Sequence, residues 1–196
     1  MIFFNTSKFY SNKVSIIYFF FTIIFILSCN KNENIDDIQN ISNEVVEIYL
    51  LETLDESRGF CLDIKGYKSN ANIENGLQAH TCYSYQGMVA VDQSFDLLKI
   101  SENEFFMPSF DVCMEAESLN KSSNLRLSSC AKNELQKFIF TNEGRIQLEK
   151  NKKLCITISQ ENSTEGGGGN PLHLIRNIQL QNCEKNLSAY QTWGIR

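Results

Sequence analysis

Short apolar segments of strand length recur along the chain, and they predict an all-β fold. Residues 44–50 read EVVEIYL and residues 137–140 read KFIF, so apolar positions alternate or run for only a few residues. Clusters of Gly, Asn and Ser separate such segments, and the chain has only two prolines. The pattern predicts about twelve short strands and no long helices over residues 45–196. The strands are expected to fall into three units of four, which the cysteines mark.

The cysteines mark a threefold repeat. Three times, a cysteine between two apolar residues is followed by a second cysteine and then by a Gln-x-aromatic element. The cysteine pairs are Cys61 and Cys82, Cys113 and Cys130, and Cys155 and Cys183, and the Gln-x-aromatic elements are residues 93–95, 136–138 and 191–193. A fixed order that recurs at roughly 45 residues predicts one supersecondary unit used three times.

Six cysteines allow many disulfide connectivities, and sequence alone does not choose among them. If the three units fold alike, each pair closes within its own unit. Each loop would then stabilise the domain by about 3 kcal/mol in the chain-entropy model. Disulfides indicate an oxidising compartment. The chain has no CxxC motif and only two histidines, so no metal centre is expected.

The N-terminus is typical of an export signal. Lys8 and Lys13 precede an apolar run over residues 14–27, which is shorter than the ~20 residues of a membrane-spanning helix. The segment ends in ILSC at Cys29 and resembles the lipobox of bacterial lipoproteins, in which the cysteine is acylated. The resemblance implies a signal peptide over residues 1–28 and an exported lipoprotein anchored in the membrane of the cell envelope or cell surface. An uncleaved anchor, or ordinary secretion with Cys29 free, is the alternative.

Residues 29–44 form the predicted tether, with lipidated Cys29 followed by an Asn-rich, weakly acidic stretch that has little to bury and should stay disordered. Residues 45–196 are predicted to form one domain. Its repeats one, two and three are placed at about 45–97, 98–142 and 143–196. The net charge of −5 and the low pI of about 5.1 argue against a nucleic-acid partner, since no basic stripe is present.

The sequences CLD at residues 61–63 and LQAHTC at residues 77–82, followed by Gln-x-aromatic, resemble the ricin-type β-trefoil lectins. The resemblance covers essentially all of residues 45–196. It implies a β-trefoil in which Phe95, Phe138 and Trp193 meet near the threefold axis. It also implies one shallow sugar pocket per repeat, with a carboxylate two residues after the first cysteine and a stacking ring two residues before the second.

Repeat one carries the most complete set of these residues. The predicted carbohydrate-binding residues are Asp63, Gln78, His80, Asp92 and Gln93. The resemblance implies that Asp63 accepts hydrogen bonds from the sugar hydroxyls and that Gln78 and Asp92 make further hydrogen bonds. It places His80 at the stacking position that Trp often fills. Tyr83 or Tyr85 is an alternative ring.

Repeats two and three are not expected to form the usual site. The matching positions hold Glu115, Ser128 and Leu135 in repeat two, and Thr157, Gln181 and Tyr190 in repeat three. Two further features of the sequence are interpreted as structural and not as functional. The glycine run at residues 166–169 is predicted to be a flexible hairpin or insertion, and His173 a half-buried histidine on a strand.

The sequence therefore predicts a non-catalytic, membrane-anchored lectin that binds a galactose-type sugar or its glycoconjugates in repeat one, without cofactor or metal. The sequence lacks the Gly-x-Ser-x-Gly elbow that would indicate a hydrolase. The alternative is a protein-interaction or structural surface lipoprotein on the same scaffold. A separate catalytic or toxin chain is a possible partner.

Overall fold

A computed structural model describes residues 44–196. The predicted signal peptide, the predicted lipidation site Cys29 and nearly all of the predicted tether lie outside the described residues. Within residues 44–196, no helix combines the length and apolar character needed to cross a membrane.

The regular structure of the described residues is predominantly β, with only short helical turns besides the strands, which confirms the predicted fold class. The strands are β1 (Val45–Leu50), β2 (Phe60–Ile64), β3 (Leu77–Thr81), β4 (Ser94–Asp96), β5 (Phe106–Met107), β6 (Val112–Ala116), β7 (Leu125–Ser128), β8 (Phe138–Phe140), β9 (Ile146–Leu148), β10 (Asn151–Ile158), β11 (Thr164–Glu165), β12 (Leu174–Arg176), β13 (Ile178–Asn182) and β14 (Trp193–Ile195). The helices are α1 (Leu97–Ser101), α2 (Ser188–Gln191) and the 3-10 turns Lys68–Asn70, Ile73–Asn75, Ser84–Gln86, Val91–Gln93 and Lys185–Leu187.

Repeats one and two contain four strands each in the described chain, and repeat three contains six. The two additional strands, β11 and β12, form a hairpin whose loop carries the glycine run at residues 166–169. Repeat three thus contains the predicted four strands together with the predicted hairpin.

All strand pairings in the described chain are antiparallel, and two of them join repeat three to repeat one. β1 pairs with β14, so the last strand closes the fold against the first. β12 of repeat three pairs with β3 of repeat one, which places Ile175 opposite His80. The hairpin β11–β12 therefore extends the sheet of repeat one, although it belongs to repeat three.

Three disulfide bonds close within the repeats, as the sequence predicts. Cys61 bonds to Cys82, Cys113 to Cys130 and Cys155 to Cys183. The Cα–Cα distances are 5.0, 5.0 and 5.1 Å, within the usual range for disulfides.

The glutamine of each Gln-x-aromatic element makes the same hydrogen bonds in every repeat. In repeat one, the Gln93 amide donates to Asp63 (2.9 Å) and to the Thr81 carbonyl (3.1 Å), and its oxygen accepts the Tyr83 N–H (3.0 Å). The corresponding partners are Glu115, Ser129 and Ala131 for Gln136, and Thr157, Asn182 and Glu184 for Gln191. The repeated glutamine therefore joins the strand that carries the first cysteine of its repeat to the segment around the second cysteine.

The aromatic residues of the same elements lie in one hydrophobic core. Phe95, Phe138 and Trp193 are all buried. The ring of Phe105 lies between the first two, with centroid distances of 6.3 Å to Phe95 and 5.9 Å to Phe138. The indole N–H of Trp193 donates to the Ile156 carbonyl (3.1 Å), so its polar atom is satisfied within the core.

Candidate functional site

A cavity of about 580 Å³ opens at repeat one, and two repeats form its walls. One wall is the loop between β2 and β3, with Tyr67 and Lys68. The floor contains Gln78 and His80 of β3 and the nearby Tyr83. The opposite wall is the β11–β12 hairpin, and the lining residues are Gly66, Tyr67, Lys68, Gln78, His80, Tyr83, Gln86, Gly166, Gly167, Gly168, Gly169, His173 and Ile175.

Strand geometry explains why Gln78 and His80 face the same cavity. They lie two residues apart on β3, so their side chains project from the same face. β3 is held on both edges, by β2 and by β12, which fixes the direction of both side chains. Two of the five predicted site residues therefore border the cavity.

Asp63 lies behind Gln78 and does not border the cavity. Its side chain is 1% exposed, and its two oxygens accept the amides of Gln78 (3.0 Å) and Gln93 (2.9 Å). Burial, together with the nearby charge of Asp92, raises the pKa of Asp63 well above its usual range, against the lowering effect of the two amides. The carboxyl group thus orients Gln78 at the cavity floor.

Asp92 is also buried and also lies outside the cavity lining. One of its oxygens accepts the backbone N–H of Lys68, while Oδ1 has no hydrogen-bond partner among the described residues. Burial raises the pKa of Asp92, and the Lys68 N–H opposes this shift. Asp92 therefore fixes the loop that forms one wall of the cavity.

His80 is enclosed by other aromatic rings. Its Nδ1 lies 2.9 Å from the Thr81 carbonyl, and its ring centroid is 5.1 Å from the rings of both Tyr83 and His173. Burial lowers the pKa of His80 to about 4, because the imidazolium form would lose its hydration. In the neutral ring, Nδ1 donates to the carbonyl and Nε2 is an acceptor.

His173 is fully buried and lies just before β12, whereas the sequence predicted a half-buried residue on a strand. The glycine loop folds over its ring: the Gly166 N–H donates to the His173 carbonyl (2.7 Å), and the His173 N–H donates to the Gly168 carbonyl (3.0 Å). Its Nε2 contacts the Tyr85 hydroxyl (3.0 Å). Burial lowers the pKa of His173.

Arg58, which sequence reasoning missed, attaches the hairpin to repeat one through hydrogen bonds. The Arg58 guanidinium donates to the carbonyls of Pro171 (2.9 Å) and Leu172 (2.8 Å) and pairs with Glu56. Burial alone would raise the pKa of Glu56, but hydrogen bonds from Arg58 and Thr81 lower it to about 2. No sequence motif predicts the contacts between Arg58 and the hairpin, because they join residues more than a hundred positions apart.

The carboxylate position of repeat two is occupied by protein contacts. Glu115 accepts hydrogen bonds from Ser128 (2.9 Å), Asn133 (3.2 Å) and Gln136 (2.8 Å), and it pairs with Arg126, which stands opposite it where repeat one has Gln78. Repeat two thus has an ion pair at the position where repeat one has the contact between Asp63 and Gln78.

Repeat three has a polar cavity of about 440 Å³ near its matching position. Gln179 stands opposite Thr157, as Gln78 stands opposite Asp63, but the carboxylate is absent. The Thr157 hydroxyl donates to the Cys155 carbonyl (2.9 Å) and accepts from Gln191 (2.8 Å).

Comparison with known proteins identifies the family. The model of the ricin-type β-trefoil lectin domain matches residues 51–193. The chain therefore belongs to this family, whose fold is non-catalytic and carbohydrate-binding. A comparison with curated protein sequences gave no match.

Solved structures share the fold at low identity. The mdaA-1 domain is 17% identical, with a TM-score of 0.55, covering 78% of this chain and 88% of that one. The C-half of the earthworm R-type lectin in complex with GalNAc is 17% identical, with a TM-score of 0.52, covering 78% and 98%. A non-toxic homologue of type II RIPs from Momordica charantia, in complex with α-methyl-D-galactoside, is 16% identical, with a TM-score of 0.52, covering 78% and 47%.

Proposed function

We propose that the domain binds a carbohydrate, without catalysis, in the cavity of repeat one. The observation that supports this proposal is the cavity itself, about 580 Å³, which has Gln78 and His80 in its lining. The sugars named with two of the similar structures, GalNAc and α-methyl-D-galactoside, favour a galactose-type ligand.

The five predicted residues divide into two roles in this proposal. Gln78 offers both a donor and an acceptor to sugar hydroxyls, and His80 offers an imidazole nitrogen. Asp63 and Gln93 hold Gln78 in place through their mutual hydrogen bonds, and Asp92 holds the neighbouring loop. A buried support of this kind keeps the binding atoms in one geometry.

Membrane anchoring through Cys29 would complement such a site. A single small pocket binds a monosaccharide weakly, at around millimolar or about −4 kcal/mol. Many copies on one membrane would bind a glycoconjugate surface together. We expect Cys29→Ser to move the exported chain from the membrane fraction to the soluble fraction; an unchanged distribution would contradict the lipoprotein proposal.

The test is a glycan array probed with the multimerised full chain, with disulfides intact. We expect binding to a defined set of galactose-type glycans that is lost in Asp63→Ala, because Gln78 then loses its buried partner. Glu115→Ala is the matched control, since it removes the equivalent carboxylate from repeat two, where no site is proposed. A circular dichroism spectrum and an unfolding curve show whether each variant folds.

One observation favours the alternative function, a protein-interaction surface without a sugar site. Both oxygens of Asp63 already accept protein amides, so this carboxyl group is less available to a sugar than the family pattern implies. Absence of glycan binding by the folded wild-type chain would overturn the lectin proposal and favour a protein partner, which co-purification would identify.

A further inference from the structure

The ring of His80 offers almost no face on which a sugar could stack. The side chain is only 3% exposed, and both Tyr83 and His173 lie against it with centroid distances of 5.1 Å. Tyr83 is itself buried to the same extent. The aromatic surface that the lectin resemblance assigns to this position is therefore covered by protein.

Two tyrosines near the site are more than half exposed, and only one of them borders the cavity. Tyr67 is 56% exposed and forms part of the cavity wall. Tyr85 is 51% exposed but lies outside the lining, with its hydroxyl engaged by His173 and with Arg58 5.6 Å from its ring centroid. The Lys68 ammonium lies 5.3 Å from the centroid of the Tyr67 ring and covers part of one face. The remaining face of Tyr67 provides the exposed aromatic surface in the lining.

The loop that carries Tyr67 is held tightly. Gly66 has a φ of +145°, and a side chain there would lie 2.6 Å from the Cα of Ala71, so the close turn requires glycine. The carbonyl of Tyr67 accepts the Asn70 N–H (3.0 Å), and the next residue, Lys68, donates its backbone N–H to the Asp92 carboxylate.

We propose that Tyr67 is the stacking residue of the repeat-one site and that Asp92 is its positioning residue. The inference rests on the proposed carbohydrate function and specifies the ligand as a pyranose whose apolar C–H face packs on the Tyr67 ring. His80 contributes an edge and not a face: its neutral Nε2, which has no partner among the described residues, accepts a hydrogen bond from a ligand hydroxyl.

Asp92 acts through the loop in this arrangement. The lectin resemblance assigns Asp92 a hydrogen bond to the sugar, whereas here the side chain is buried behind the wall and bonded to the backbone of Lys68. Loss of its acceptor would free the loop and increase the motion of the Tyr67 ring, although no group that touches the ligand would be removed.

The experiment titrates methyl α-D-galactoside into the full chain and follows the ligand by NMR. Stacking shifts the protons of the packed C–H face upfield through the ring current of the tyrosine. We expect Tyr67→Ala to remove this shift and to weaken binding at least about fivefold. Tyr67→Phe should retain both the shift and the affinity, because it keeps the ring. Leu51→Ala, at an exposed apolar side chain outside the cavity lining, is the matched control and should bind like wild type.

A double-mutant cycle tests the role of Asp92. Asp92→Ala should weaken binding, Asp92→Asn should restore it because the amide oxygen can accept the Lys68 N–H, and the losses from Asp92→Ala and Tyr67→Ala should not add. Additive losses would overturn the positioning role of Asp92. Wild-type affinity in folded Tyr67→Ala would overturn this inference and leave the proposed function standing. Absence of binding to any glycan by the wild-type chain would overturn the proposed function together with this inference.

Discussion

At the scale of single residues, burial decides what each polar side chain of the site can do. His80 and Asp63 both lie almost without solvent contact, and burial shifts their pKa values in opposite directions, each toward the neutral form. His80 is thus expected to be uncharged when it meets a sugar near neutral pH. A neutral His80 presents one donor and one acceptor. At Asp63 the amides of Gln78 and Gln93 favour the charged form and oppose the upward pKa shift that burial causes.

The lowered pKa of His80 predicts a specific loss of stability in acid. Between the ordinary value of 6.5 and about 4, the unfolded chain binds more protons at this residue than the folded chain, so the free energy of unfolding falls as the pH falls through that window. The expected loss is on the order of 3 kcal/mol. Urea unfolding of wild type and His80→Gln at pH 7 and pH 4 measures it as the change in their difference, and a constant difference would contradict the prediction.

The sequence was a good guide to residues that share a strand or a repeated motif. Gln78 and His80 could be predicted because a spacing of two places them on one face of β3, and Gln93 because its element recurs. Tyr67 and Arg58 could not be predicted, since their importance depends on which loops meet in space. The stacking role predicted for His80 depends on its spatial neighbours in the same way, because Tyr83 and His173 lie against its ring.

At the scale of elements, the β11–β12 hairpin determines the shape of the cavity. Its pairing with β3 sets the glycine loop over repeat one, and His173 fills the space below that loop. The sequence predicted a hairpin from the glycine run, but its partner strand lies in another repeat, and local pattern carries no information about that long-range pairing.

Arg58 is expected to hold this hairpin in place. Arg58→Ala removes the two hydrogen bonds to the carbonyls of Pro171 and Leu172 and leaves Glu56 without its cation. We expect faster amide hydrogen exchange across residues 164–176, with the β-strands of repeat two unchanged. Arg126→Ala is the control, because its partner Glu115 belongs to repeat two. Equal exchange in wild type and Arg58→Ala would show that strand pairing alone holds the hairpin.

At the scale of the whole molecule, the same hydrogen-bond scheme and one disulfide hold each repeat, while the functional chemistry differs among them. This combination explains why the fold was predictable from the sequence. The cysteines and the Gln-x-aromatic elements recur with their structural role intact, whereas Asp63, Glu115 and Thr157 occupy one position with three different side chains.

The three disulfides should contribute similarly to stability. They close loops with sequence separations of 21, 17 and 28 residues, and the chain-entropy model depends only weakly on such differences. Replacing both cysteines of any one pair with alanine should lower the free energy of unfolding by about 3 kcal/mol. Denaturant unfolding of the three double variants measures this, and a loss confined to one pair would contradict equivalence of the repeats.

The shared cavity limits how far this molecule can be treated as three copies of one unit. A symmetric protein made from three copies of repeat one would retain Asp63, Gln78 and His80 in each copy, yet every pocket would lack the wall that the hairpin provides. Conversely, replacing repeat three with the corresponding repeat of a relative would alter this pocket, although the residues of the pocket floor belong to repeat one. Substitutions in the β11–β12 hairpin and in the loop of Tyr67 should therefore affect one and the same pocket.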